Sequence, residues 1–301
     1  MEGLNMIIGF VGLGIMGKPM AKNLLKGGYD VVSYDFNDAN VKEVVDAGAM
    51  AATSGKEVAS QADIIITMLP NSPNVEAALF SENGIAAGLS TGKIVIDMSS
   101  ISPVASQKFA KELAKLGVEF LDAPVSGGEP KAVEGTIAVM VGGNKEVFDT
   151  CYELLMTMSG SVTYVGEVGA GNITKLANQM VVAINIAAVS EALSFATKAG
   201  VDPELVYKAI RGGLAGSTVM DAKSPMILDR NFEPGFRIEL HMKDLQNALD
   251  TSHDIHISTP LTAQLMEIMQ VLKNDGLEKK DHAAIAKYYE KMNNLTIESK
   301  E

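Results

Sequence analysis

A lysine, a pair of amides, a serine followed by two glycines, and a glycine-rich turn followed by an acid are the residues in this chain with chemistry in their spacing. Lys175 stands near the start of an apolar stretch, in Gly166-Glu167-Val168-Gly169-Ala170-Gly171-Asn172-Ile173-Thr174-Lys175, with Asn178 and Gln179 three and four positions on. On a helix those amides lie one turn from the lysine and reach the same ligand. A lysine in an apolar setting near a helix N-terminus has its charged form destabilised, which suits a general acid or base. Taken alone, the same lysine also suits a snorkelling surface position. Ser126-Gly127-Gly128 closes the run Asp122-Ala123-Pro124-Val125. A hydroxyl and two glycine N–H groups suit a carboxylate, and they equally suit an ordinary glycine turn. Gly235-Phe236-Arg237-Ile238-Glu239-Leu240-His241-Met242-Lys243-Asp244 packs two basic residues, two acids, an aromatic and a histidine together. Without further context it reads as a solvated helix face.

The most specific signal is Gly12-Leu13-Gly14-Ile15-Met16-Gly17 after the apolar run Ile7 to Val11. The order strand, Gly-x-Gly-x-x-Gly, helix is the one a dinucleotide pyrophosphate needs. Gly12 allows the tight turn, Gly14 the close approach of backbone to phosphate, and Gly17 the packing of helix on strand. Pro19 fits the first helical turn, whose N–H groups have no intrahelical partner. Asp35 ends the next apolar run, 18 positions after Gly17. A carboxylate there accepts from the adenosine ribose hydroxyls and repels a 2′-phosphate. Phe36 follows where an arginine would favour NADP, so NAD(H) is expected over NADP(H), with NADP(H) left possible and Lys42 nearby to soften the preference.

The elements that must position these residues alternate through the first half. Strands are expected at Ile7–Val11, Val31–Tyr34, Ile64–Met68, Ile94–Ile96 and Phe120–Leu121, then at Thr136–Val141 and Val162–Val165. Helices are expected between the early strands, over Pro103–Leu116 and over Lys145–Met158. This is the pattern of a mostly parallel, doubly wound α/β sheet of Rossmann type. No strand is expected after Gly166. Asn172–Ala199 reads as one helix of 28 residues, about 42 Å long, stopped by Gly200. Asp202-Pro203 opens a helix that Gly212-Gly213 closes, Thr259-Pro260 opens another, and Asp281 caps a last one through Met292. The expected division is a dinucleotide-binding domain over 1–166 and an all-helical domain over 167–301.

Bulk properties narrow the class. The net charge of −12 argues against non-specific nucleic-acid binding. A small anionic substrate must then be attracted locally. Hydrophobic residues at 47% and charged residues at 21% suit a globular chain with a sizeable core. No run of about 18 uncharged apolar residues suggests a membrane span. The single cysteine, Cys151, allows no intrachain disulfide and has no basic neighbour, so it reads as a helix-packing residue in a cytoplasmic protein. Met1 to Asn5 read as a short extension, with no signal-peptide pattern and with Met6 as an alternative start. His253-x-x-His256 lacks a third ligand, and no metal is expected.

Taken together, these segments resemble the β-hydroxyacid dehydrogenase family over essentially the whole chain after Met6. Gly12 to Gly17 is similar to its cofactor signature, Asp122 to Gly128 to its substrate signature, and Gly169-Ala170-Gly171 through Lys175 to its catalytic one. Met68-Leu69-Pro70-Asn71-Ser72-Pro73, Ser126 to Lys131, and Arg211 to Thr218 are similar to the tartronate semialdehyde reductase subgroup. The resemblance implies that Lys175 protonates the carbonyl oxygen as hydride arrives, and that Ser126, Gly127 and Gly128 hold the substrate carboxylate. It implies that Leu69, Pro70, Ser100 and Lys243 contact cofactor beside Gly12, Leu13, Gly14, Ile15, Met16, Gly17 and Asp35. Phe236 and Asp244 would shape the substrate site. Many relatives have asparagine four residues after the lysine; here Gln179 stands there and Asn178 precedes it, so either amide could orient substrate. The implied reaction is reversible NADH-dependent reduction of tartronate semialdehyde to D-glycerate by a homodimer or homotetramer. The alternatives are 3-hydroxyisobutyrate or 4-hydroxybutyrate dehydrogenase, glyoxylate/succinic semialdehyde reductase, and a non-catalytic NAD-binding sensor or interaction protein.

Overall fold

The computed structural model describes residues 6–299, so the expected extension Met1 to Asn5 lies outside the described residues. The chain divides into two compact units, Met1–Lys175 and Leu176–Glu301. The division falls inside a helix, further along than the expected change at Gly166.

The first unit is built on nine strands: β1 (Ile7–Val11), β2 (Asp30–Tyr34), β3 (Met50–Ala51), β4 (Ile64–Thr67), β5 (Ile94–Asp97), β6 (Glu119–Asp122), β7 (Val125–Ser126), β8 (Ile137–Gly142) and β9 (Ser159–Gly166). Their order is β3-β2-β1-β4-β5-β6-β8-β7, with β9 also on β8. From β3 to β6 all pairs are parallel, in the order typical of a dinucleotide-binding sheet. β8 runs antiparallel to β6 and β7 and parallel to β9. Helices α1 (Gly17–Lys26), α2 (Asp38–Val45), α3 (Gly55–Gln61), α4 (Ser72–Phe80), α5 (Pro103–Ala114), α6 (Gly128–Glu134) and α7 (Lys145–Met156) fill the crossovers. Alternation within strands splits the core in two. Ile8, Ile64 and Ile66 pack with α1 and α7 residues such as Met20, Leu24 and Leu155, while Ile65 and Val95 face Val58, Leu79 and Phe109. Cys151 lies buried in α7, and burial pushes its thiol up to about 11, as a packing cysteine requires.

α8 (Ala170–Lys198) begins in the first unit and runs into the second. It starts two residues before the expected Asn172, and Gly200 follows it at φ +85. By length and composition α8 is apolar enough to cross a membrane, which the count of uncharged runs did not reveal. Lys175, Asn178, Gln179 and Glu191 interrupt it, and Ala183, Ile186 and Leu193 belong to the core of the second unit, the pattern of a core helix. There α9 (Pro203–Ile210), α10 (Thr218–Leu228), α11 (Ile238–Asp254), α12 (Pro260–Asn274) and α13 (Ile285–Asn293) complete an all-helical body, with no strand among its described residues. α9 ends at Ile210 with Arg211 as its C-cap, so Gly212-Gly213 directly follow and close it as expected. One expectation needs correction. Asp281 caps a short 3₁₀ turn, His282–Ala284, and α13 follows that turn.

Glycines decide how closely α8 starts against the sheet. A Cβ on Gly171 would stand 2.4 Å from the Asp122 carbonyl oxygen and 2.6 Å from that of Met140. Neither backbone can yield. Gly14, in contrast, has nothing within 4 Å of where its Cβ would stand. Gly171→Ala is therefore expected to destabilise the protein by on the order of 2 kcal/mol, while Gly14→Ala stays within about 0.5 kcal/mol of the parent; urea unfolding of the two variants checks both.

Candidate active site

The glycine turn folds as its residue types demand. Gly12 adopts φ +97, and its Cβ would fall 2.4 Å from the Met68 carbonyl oxygen. Gly17 packs so tightly that a Cβ would meet the Gly12 carbonyl oxygen. Leu13, Ile15 and Met16 complete the turn, with Leu13 fully buried and Ile15 exposed. Asp35 sits at the end of β2. Its Oδ2 accepts from the Leu13 N–H at 2.6 Å and its Oδ1 from the Asn37 N–H at 2.8 Å, so the carboxylate is tied directly to the turn. Lys42 pairs with Asp46 at 2.6 Å, with both side chains exposed. A cavity of about 310 Å³ brings Gly12, Asp35 and Leu69 together with Thr53, Ser81 and Asn83. The bare Gly14 surface, the carboxylate and this cavity fit a dinucleotide: pyrophosphate at the turn, ribose at Asp35.

Two carboxylates end neighbouring strands in register, Asp97 on β5 and Asp122 on β6. Both are fully buried. The Asp97 Oδ1 accepts from Thr67 Oγ1 at 2.8 Å and from the Ser99 N–H at 3.2 Å. Ser99 Oγ in turn accepts from the Leu69 N–H at 2.9 Å. The segments carrying Leu69-Pro70 and Ser100 are thus joined through one acid. Asp122 accepts from the Gly169 N–H at 2.7 Å and from the Asn172 N–H at 2.8 Å. Those are donors that the first turn of α8 cannot satisfy itself. The Asn172 side chain accepts from the Ile101 N–H and donates to Ser106 Oγ. One turn on from this clamp stands Lys175, 6% exposed. Ser126 lies on β7 opposite Ala138, and Gly127 and Gly128 adopt φ +143 and +72, conformations that glycine adopts readily.

The second unit holds the other expected residues. Gln179 is buried and donates through Nε2 to Asp244 Oδ2 at 2.6 Å, while its Oε1 accepts from Asn178 Nδ2 at 2.9 Å. Lys243 pairs with Asp244 Oδ1 at 3.1 Å. His241 lies 3.0 Å through Nε2 from the Gln179 carbonyl oxygen, and its Nδ1 lies 2.9 Å from Nδ1 of His282. A carbonyl has only lone pairs, so His241 Nε2 carries a proton. The Phe236 ring lies edge-on to both imidazoles, and its N–H and that of Gly235 donate to Asp281. The segment expected to be a solvated helix face is thus partly buried: His241 and Asp244 are interior, and α11 starts only at Ile238.

Two family models match the chain. The NAD-binding domain of 6-phosphogluconate dehydrogenase matches residues 7–166, and the NAD-binding region of NADP-dependent 3-hydroxyisobutyrate dehydrogenase matches 169–289. The chain is 42% identical over 289 residues to 2-hydroxy-3-oxopropionate reductase of Escherichia coli (strain K12), covering 96% of this chain and 99% of that one. It belongs to the β-hydroxyacid dehydrogenase family. It is also 37% identical over 288 residues to mitochondrial 3-hydroxyisobutyrate dehydrogenase of Bos taurus, covering 93% and 86% of the two chains. Among solved structures it is similar to 3-hydroxyisobutyrate dehydrogenase of Mycobacterium tuberculosis with L-serine, at TM-score 0.87 and 29% identity, covering 94% and 99%. This β-hydroxyacid dehydrogenase is accordingly an NAD(P)-dependent oxidoreductase acting on CH–OH groups.

Residue reading singled out the segments of Asp122 and Asn172 but not the work of these residues, and it gave no role to Asp97 or His282. The signal available for Asp97 and Asp122 was an acid at the end of an apolar strand. Burial pushes each of the two acids up to about 6, against the hydrogen bonds that favour the charged form. The folded dehydrogenase therefore binds protons that the unfolded chain, at the usual 3.8, has released. From about pH 4 to about pH 6 the stability contributed by these groups falls as pH rises. Asp97→Asn removes its share of that slope. Urea unfolding from pH 4.5 to 7 is expected to move in the variant's favour, relative to the parent, by on the order of 2 kcal/mol; parallel pH profiles would sink the assignment.

Proposed function

We propose that this dehydrogenase reduces tartronate semialdehyde (2-hydroxy-3-oxopropanoate) to D-glycerate with NADH, reversibly, with Lys175 as the acid/base. The observation that carries the reading is the similarity to the Escherichia coli 2-hydroxy-3-oxopropionate reductase along nearly the whole of both chains. The similarity to 3-hydroxyisobutyrate dehydrogenases, at 37% identity, supports the second reading, a less polar 3-hydroxy acid on the same residues.

The nicotinamide, when bound, supplies hydride to the aldehyde carbon. Negative charge then develops on the carbonyl oxygen. In this reading the Lys175 ammonium stabilises that charge and gives its proton to the oxygen, leaving the alcohol and a neutral amine. In oxidation the neutral amine takes the proton back. Ser126 with the N–H groups of Gly127 and Gly128 would hold the substrate carboxylate. Asn178 and Gln179 would face the substrate from the next turn of α8, with Phe236 and Asp244 shaping its pocket. Leu69, Pro70, Ser100 and Lys243 would line the cofactor groove.

Support for NADH over NADPH comes from Asp35. A 2′-phosphate at the ribose would face a carboxylate, and no basic side chain stands at Phe36. Support for a homo-oligomer comes from apolar residues left exposed on α8, with Val181 59% and Phe195 77% exposed. The buried lone cysteine suits the cytoplasm.

Following NADH and NADPH absorbance with tartronate, methylmalonate and succinic semialdehydes and glyoxylate tests the reading. NADH oxidation is expected to be fastest with tartronate semialdehyde. Preference for another aldehyde discards the named substrate, and absence of turnover with all of them, despite NADH binding, favours a non-catalytic NAD-binding protein. Lys175→Ala is expected to lose about 10²–10⁴ in kcat with NADH affinity, read by fluorescence, unchanged. Asp35→Ala should narrow the gap between NADH and NADPH KM values; an unchanged ratio would remove Asp35 from cofactor choice.

A further inference from the structure

Asp97 and Asp122 make no side-chain hydrogen bond to Gly12–Gly17 or to Ser126–Gly128 among those described, and both are fully buried at the C-terminal ends of adjacent parallel strands. Strands so paired lie about 4.8 Å apart. Two acids side by side in an apolar sheet are costly unless their hydrogen bonds do something the fold needs. Their partners differ. Asp122 reaches only the start of α8, through Gly169 and Asn172. Asp97 reaches only Thr67 and Ser99, and its Oδ2 is buried with no hydrogen-bond partner among the described residues. Ser99 then fixes the Leu69 N–H.

We propose that the two acids are positioning residues with divided tasks: Asp122 sets Lys175 through the first turn of α8, and Asp97 sets the cofactor groove through Leu69 and Ser99. Asn172 links the halves, because its side chain holds the Ile101 N–H two residues after Ser99 while its own N–H is held by Asp122. The Asp122 carboxylate packs against two bare glycines. A Cβ on Gly142 would meet Asp122 Oδ1 at 2.5 Å, and one on Gly171 would meet Asp122 Oδ2 at 2.9 Å. The carboxylate shares with backbone atoms the space that a side chain at either glycine would need. Asparagine at 122 keeps the shape but turns an N–H₂ toward one of the two N–H donors, breaking half of the clamp.

The inference rests on the reading of Lys175 as the acid, and the test keeps the two apart. Purified Asp122→Asn and Asp97→Asn enzymes are compared with the parent in steady-state kinetics, with NADH and its deuterated form, and in NADH binding by fluorescence. Backbone amide exchange is followed over residues 169–175. Asp122→Asn is expected to lose about 10–100-fold in kcat, since displacement by about 1 Å has that scale of effect. Its NADH affinity should stay within about twofold, its hydride isotope effect should rise, and its 169–175 amides should exchange faster. Asp97→Asn is expected to weaken NADH binding several-fold while keeping kcat at saturating NADH and parental exchange at 169–175. Equal loss of kcat and NADH affinity in both variants, or no loss in either, overturns the division of tasks. Should Asp122→Asn fail to fold, Asp122→Ser, which keeps an acceptor for one of the two N–H groups and loses the other, is read in the same way. Should the parent turn over none of the aldehydes, the reading of Lys175 falls, and the exchange and NADH-binding arms still decide the inference.

Discussion

A buried carboxylate accepting two backbone N–H groups from the start of a long helix is the interaction on which the chemical edge of this molecule depends. Asp122 takes the donors that α8 leaves open at its first turn, and it does so from the end of the strand leading to Ser126, Gly127 and Gly128. The negative charge also lies at the positive end of the helix dipole. Charge, hydrogen bonding and close packing therefore act at one point. The close packing is possible only because Gly142 and Gly171 present no side chain. Elsewhere in the unit the same economy recurs: Gly12 and Gly17 press a turn against the sheet so that Asp35 can hold it by the Leu13 N–H.

How such acids come to be buried follows from the sheet. Parallel strands covered on both faces by helices have apolar interiors, and polar groups are tolerated only at the strand ends. Asp97 and Asp122 stand at those ends, where loop and helix-start N–H groups point back toward them. Burial raises their proton affinity and the N–H donors lower it, and the first effect prevails. The ionised acids thus cost stability that their N–H donors only partly offset.

Much of the first unit was legible in the residues. Period and punctuation placed seven strands within a few residues of their observed ends, and the glycine turn with Asp35 was readable because its parts are close in the chain. What escaped was set by distant partners. β3 and β7 have two residues each, too short for any periodicity, and exist through pairing with β2 and β8. Asp122 finds its partners 47 and 50 residues away, so nothing local marks it as a clamp. α10 contains Pro225, which reads as a break. In the second unit the imidazole pair joins residues 41 apart and turns a segment that looks like a solvated face into an interior one. That Gln179 is held between Asn178 and Asp244 was not legible, because Asp244 lies 65 residues away.

α8 runs without interruption past Lys175, Asn178 and Gln179, and this makes it a ruler. Three residues of helix rise about 4.5 Å, and no loop intervenes to stretch or shorten that interval. The interval between the backbone positions of these three residues is thus set by helical pitch. Relatives named for acids as different in size as 2-hydroxy-3-oxopropionate, 3-hydroxyisobutyrate and 2-(hydroxymethyl)glutarate align along almost the full length of this chain. A backbone interval fixed by helical pitch is one that every member of such a series can share.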